Sequence, residues 1–261
     1  MPVVVDVVFV FVLVVAASLV EHYWFWPRFR ADVAGGARGA RVRGYRRGIV
    51  GQWLFVAVAT AIWLWYGRPL SWLRLGAPSG WRLWLSVGLG VAIVVLVALQ
   101  LASVKRLSAA QRVAARPKLG SVAFLLPHTR EDHRWFLALS ATAGFCEELL
   151  YRGYLAWFFT PWLGGTWAMV AVVVLFGIGH AYQGRTGAVR ATLAGAVMAV
   201  VVLATNWLVP AMIIHAMIDA GSGTVGYWLL RTADVTPDHT TNQPADLATD
   251  AAARIATEPL S

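Results

Sequence analysis

The sequence predicts an all-α fold, a polytopic bundle of about seven transmembrane helices (six to eight), and three observations carry that prediction. The chain has 261 residues, 59% hydrophobic and only 13% charged, with a mean hydropathy of +0.62. Soluble domains hold about 45–50% apolar residues. Its apolar residues come in runs of about 20, the length that crosses a hydrocarbon core. Its cations gather in bursts between those runs.

Candidate spans cover 3–26, 49–66, 81–104, 135–159, 162–181, 191–208 and 209–230. The first, "MPVVVDVVFVFVLVVAASLV", has no basic leading region and its first charge is acidic, so it reads as a retained helix rather than a cleaved signal peptide. After it, "RFRADVAGGARGARVRGYRR" carries seven arginines, and 105–134 carries seven Lys/Arg. The connection 67–80 carries only Arg68 and Arg74, and 160–165 carries none. By the positive-inside rule the rich segments face the cytoplasm, the N-terminus lies outside and the C-terminus inside. Trp24, Trp26, Trp63, Trp65, Trp81, Trp84, Trp135 and Trp207 fall near span ends and read as an interfacial belt.

"PHTREDHRWF" looks like a helix start, with Thr129 as N-cap and Asp132 three residues on, so the fourth helix begins in water. The segment 231–261 is polar, with five acids against two arginines, and reads as a disordered tail. Three parts follow: N-terminal helices with an arginine-rich loop over 1–110, a core over 120–230, and the tail from 231. The net charge of +9 comes in bursts rather than on one basic face, which argues for a lipid partner and against nucleic acid. The single cysteine, Cys146, excludes an internal disulfide framework and thiolate metal clusters, and reads as a small buried hydrophobe. An Arg-rich, Lys-poor composition points to a bacterial plasma membrane. No internal repeat, P-loop or dinucleotide motif is present.

An ionisable group in mid-span costs about 2.5–3.5 kcal/mol on insertion scales, so it faces the bundle interior and marks function by default. The candidates are Asp6, Glu147, Glu148, Arg152, His180, His215 and Asp219. Residues four apart share a helix face, and that spacing joins Glu148 with Arg152, Phe176 with His180, and His215 with Asp219. The plain readings are a buried ion pair for Glu148 and Arg152, packing for Phe176, an orienting pair for His215 and Asp219, and a structural or outer-surface place for Asp6. Glu147 lies about 100° around the helix from Glu148 and has no arginine at i+4. An unpaired buried carboxylate is a candidate general base.

These residues stand as "EELLYR" (147–152), "FGIGH" (176–180) and "HAMID" (215–219), in order and on successive apolar segments. The pattern resembles the CPBP intramembrane proteases, the CAAX protease and bacteriocin-processing (Abi) family, whose motifs are EExxxR, FxxxH and HxxxN or HxxxD. The resemblance covers roughly 120–230; residues 1–110 are family-like only as generic helices. It implies a glutamate-type endopeptidase acting on a membrane protein or peptide. Glu147 would activate water, His180 would hold and polarise it, and His215 with Asp219 would stabilise the oxyanion. Glu148, Arg152 and Phe176 would support the site. The chain departs from the eukaryotic enzymes at Asp219, where they carry Asn. An ionised aspartate cannot donate to an oxyanion, so Asp219 either is protonated or accepts from His215 and leaves the imidazole to donate, and the second is the expectation.

No cofactor is implied. The same Glu and His set could instead hold zinc as an open His2Glu site, although HExxH is absent. A non-catalytic immunity or scaffold protein would keep the fold without the chemistry, and a transporter would show broken helices or inverted repeats. Straight-helix counting puts Glu147 and His215 near mid-membrane and His180 near the inner end of its span, so tilt or a longer fifth helix is required.

Overall fold

The computed structural model describes residues 1–231, and the polar tail beyond lies outside the described residues. Six helical runs are long and apolar enough to cross a membrane, and no strand occurs among the described residues. Helix α1, Val4–Ala34, is continuous and runs well past its expected end at 26. Two π-helical stretches, Val12–Ala16 and Glu21–Phe25, lie within it. The second precedes Pro27, whose missing N–H a wider turn accommodates. Helix α2, Ala40–Trp65, begins well before the expected 49. The arginine-rich segment is therefore not a loop but a helical hairpin turning at 35–39, since arginine is a good helix former and only its glycines interrupt it.

Helix α3, Trp81–Lys105, follows the expected span, and a short α4, Ala109–Ala115, is capped by Ser108. The run Arg130–Gly179 starts with the expected capping box: Thr129 Oγ1 accepts from the Asp132 amide and Asp132 accepts from the Thr129 amide. Its 50 residues would reach about 75 Å, too far for one crossing. It breaks at Gly164, whose φ of 74° and ψ of 161° a side chain would resist. The two halves are α5 (130–163) and α6 (165–179). Helices α7, Gly184–Thr205, and α8, Leu208–Leu230, complete seven crossings. The chain is an integral multi-pass membrane protein.

Helix α5 is the central element, packed on α2 and α8; α3 covers α8 and α7 covers α6. Close approach of α5 and α8 rests on Gly144, where a Cβ would meet the Met212 carbonyl oxygen and the Ala216 amide at 2.7 Å. Outward faces carry Val94, Val95, Leu96 and Leu99, as lipid-facing surfaces should. Trp65, Trp81 and Trp84 are exposed at span ends, but Trp63 is a correction to the belt reading. It is buried edge-on against Trp157 and Tyr154, because its helix face turns toward α5.

Candidate active site

Four helices, α2, α6, α7 and α8, converge on the centre of α5. At Glu148 this helix widens into a π-helical segment, Glu148–Leu155, a departure that clusters at functional sites. Glu148 and Arg152 are both fully buried, and Arg152 Nη1 donates to Glu148 Oε1 at 3.0 Å. Its Nη2 donates to the Gly195 carbonyl of α7 at 3.1 Å, and its guanidinium lies 4.3 Å from the Phe176 ring centroid of α6. Arg152 thus ties the central helix to α6 and α7.

The same Glu148 oxygen receives His215 Nδ1 at 2.9 Å. A carboxylate only accepts, so Nδ1 carries the proton, and Nε2 faces the opposite way. There it meets Glu147 Oε2 at 3.8 Å and Asp219 Oδ2 at 3.7 Å, both beyond hydrogen-bond reach. The expected His215–Asp219 hydrogen bond is therefore corrected: Glu148 orients the imidazole, and Asp219 lies beside the outward nitrogen. The physical reason is the close α5–α8 contact at Gly144, which brings Glu148 to the ring before a half-exposed Asp219 one turn away can reach it.

Glu147 divides its two oxygens. Oε1 accepts from Gln52 Nε2 of α2 at 3.0 Å, and Oε2 is buried with no hydrogen-bond partner. His180, at the end of α6, donates from Nδ1 to the Phe176 carbonyl at 2.8 Å, which leaves Nε2 as the ring's acceptor. Phe176 stands between the two histidines, 4.3 Å from the His180 ring and 6.0 Å from His215. His180 makes no hydrogen bond to Glu147, but it interacts electrostatically with Asp219 and His215.

The depth mismatch closes when residues are counted from the break at Gly164. Counted from Gly164 at about 1.5 Å per residue, Glu147 lies about 25 Å back along α5 and His180 about 24 Å along α6. The fourth span is longer than expected at its outer end, which brings the two to one level.

The structure gathers Glu147, Glu148, Arg152, Phe176, His180, His215 and Asp219 in one region. Among the described residues, no group of three His, Cys, Asp or Glu side chains is disposed to hold a metal ion. Cys146 is fully buried as a small apolar side chain. Sequence reasoning passed over Gln52, the residue that fixes Glu147, although an amide in an otherwise apolar span signals a buried partner. It also named no partner for Asp6, which sits in a separate network. Arg68 donates to its two oxygens at 2.7 Å each, the Val3 amide adds a bond at 2.7 Å, and Tyr154 donates its hydroxyl proton.

Residues 130–221 match the family model described as Type II CAAX prenyl endopeptidase Rce1-like. The matched segment contains every residue of the cluster except Gln52. No curated protein and no solved structure matches the chain significantly.

Proposed function

We propose that residues 130–221, which match the Rce1-like CAAX endopeptidase model, form a CAAX-protease-type domain of the CPBP family, and that the protein hydrolyses a peptide bond of a membrane protein or peptide with a water activated by Glu147. The observation that carries this is the division of labour between Glu147 oxygens. Gln52 fixes Oε1, and Oε2 is left without a protein partner beside His215 Nε2. A positioned carboxylate of this kind takes a proton from water as the oxygen attacks the scissile carbonyl, and returns it to the departing amine nitrogen.

The tetrahedral intermediate needs donors aimed at its oxyanion. His215 supplies one: Glu148 holds its Nδ1–H, and the imidazolium form donates from Nε2. His180, with its Nδ1 on the Phe176 carbonyl, accepts a hydrogen bond from the water at Nε2 and keeps the nucleophile in place while Glu147 takes the other proton. Asp219 Oδ2, 3.7 Å from His215 Nε2, borders the position where the oxyanion forms. Glu148 and Arg152 hold the geometry and touch no reacting atom.

By the positive-inside rule, the cations of the arginine-rich hairpin and of the 105–134 connection support an orientation with the C-terminal end of α8 in the cytoplasm and the start of α1 outside, and the Arg-rich, Lys-poor composition supports a bacterial plasma membrane. Substrates are sought by comparing membrane peptides that accumulate in a strain lacking the protein with those of its parent. Peptides found this way are offered to the purified protein in bilayers, with and without a chelator. Cleavage is expected to survive chelation; loss restored by zinc would replace the Glu147 mechanism with a metal-bound water.

A further inference from the structure

At the membrane face opposite the arginine-rich hairpin, a cavity of about 300 Å3 is lined by Met1, Trp72, Arg74, Trp157, Thr160 and Pro161. None of these six side chains is acidic, and Arg74 is the cation among them. Arg74 has no carboxylate partner among the described residues; its Nη1 reaches only the Arg152 carbonyl, at 3.5 Å. Arg68, in the same connection, is held by both oxygens of Asp6. Burial pushes the Arg74 guanidinium below its ordinary range, yet a guanidinium keeps its proton in proteins. A half-buried cation without a counter-charge is costly unless an anion joins it.

Its backbone adds an independent sign. Arg74 is left-handed, with φ 55° and ψ 35°, a conformation that a non-glycine residue holds only where its surroundings impose it, and such residues cluster at binding sites. The constraint is visible: its carbonyl accepts the Leu208 amide at 2.9 Å, at the start of α8, and the neighbouring Leu75 carbonyl accepts from the Trp207 indole at 3.3 Å. Trp72, Trp162, Trp81 and Trp84 are exposed at this same end, which marks the headgroup level of a bilayer. A guanidinium forks onto phosphate oxygens, and the two indoles of Trp72 and Trp157 supply apolar walls. The volume falls at the small end of ligand sites.

We propose that Arg74, with Trp72 and Trp157, forms a binding site for a glycerophosphate group, carried by an anionic lipid or free in solution. The full chain is reconstituted in phosphatidylcholine bilayers, with or without phosphatidylglycerol, and lipid retained through detergent extraction is measured by native mass spectrometry. A second arm adds soluble glycerol 3-phosphate to the phosphatidylcholine sample and follows the unfolding temperature. Wild type and the exposed-site control Arg82→Gln are expected to retain phosphatidylglycerol, Arg74→Gln about tenfold less, and Arg74→Lys an intermediate amount. Stabilisation of wild type, but not of Arg74→Gln, by soluble glycerol 3-phosphate without lipid retention would support the site and make its ligand soluble. Equal behaviour of wild type and Arg74→Gln in both arms would overturn it. If Arg74→Gln does not fold, wild type that shows neither a preference for phosphatidylglycerol nor a response to glycerol 3-phosphate overturns it as well.

Discussion

Two clusters of buried charge share the central helix α5 and differ in how fully their atoms are satisfied. Around Asp6, both carboxylate oxygens accept from Arg68, the Val3 amide and the Tyr154 hydroxyl add two more bonds, and the guanidinium lies 4.5 Å from the Trp157 ring centroid. A few residues away, Glu147 Oε2, Glu148 Oε2 and Arg152 Nε are buried without hydrogen bonds. Both clusters bear the desolvation of ions in an apolar bundle. The first meets it with four hydrogen bonds to the carboxylate and behaves as a clasp joining α1, the 67–80 connection and α5. The second keeps unspent hydrogen-bonding capacity, which is what a site that must handle water and an oxyanion requires.

The sharpest way to break the comparison is at the clasp. Asp6→Ala strands Arg68 in the interior and should cost about 3–5 kcal/mol of stability. Thermal unfolding in bilayers would show the loss, while the hydrolysis rate per folded molecule should hold. In the other cluster, Glu148→Gln removes the counter-charge of Arg152 and replaces the charged acceptor that orients His215 with a weaker, neutral amide oxygen. It should lose about 3 kcal/mol, and the folded fraction should hydrolyse about 100-fold more slowly. A Glu148→Gln protein with full activity would detach His215 from the chemistry.

Smaller effects sharpen the boundary between support and catalysis. Gly144→Ala drives a methyl into the Met212 carbonyl and the Ala216 amide of α8, and should destabilise by about 1–3 kcal/mol. Because that contact sets the Glu148–His215 distance, kcat should fall with stability. Gln52→Ala removes one hydrogen bond to Glu147, about 1 kcal/mol. It should lower kcat a few-fold with KM unchanged, and a pure loss of folded protein would contradict the positioning role.

Much of this was legible because the bilayer imposes simple rules: span length, cation asymmetry and the cost of a charge in lipid are all local in sequence. The capping box at Thr129 and the grouping of EELLYR with two histidine segments depend on short spacings, and so could be read. The missing parts depend on contacts between distant segments. Asp6 with Arg68, and Glu147 with Gln52, join residues far apart in the chain, which no periodicity exposes. The choice of Glu148 over Asp219 as the partner of His215 turns on a helix crossing at one glycine and on a π-helical segment. The length of α5, which levels His180 with Glu147, was hidden because Trp, Phe and Pro at 157–163 serve a helix end and a helix interior equally well.

The central claim is that Glu147 activates water while Glu148 and Arg152 hold the frame. The direct test is the hydrolysis rate of Glu147→Gln in bilayers, measured on protein whose unfolding temperature matches wild type. The substitution preserves shape and the Gln52 contact but removes the base, so the rate should fall by about 100- to 10,000-fold. A folded Glu147→Gln protein that cleaves at the wild-type rate would contradict the account.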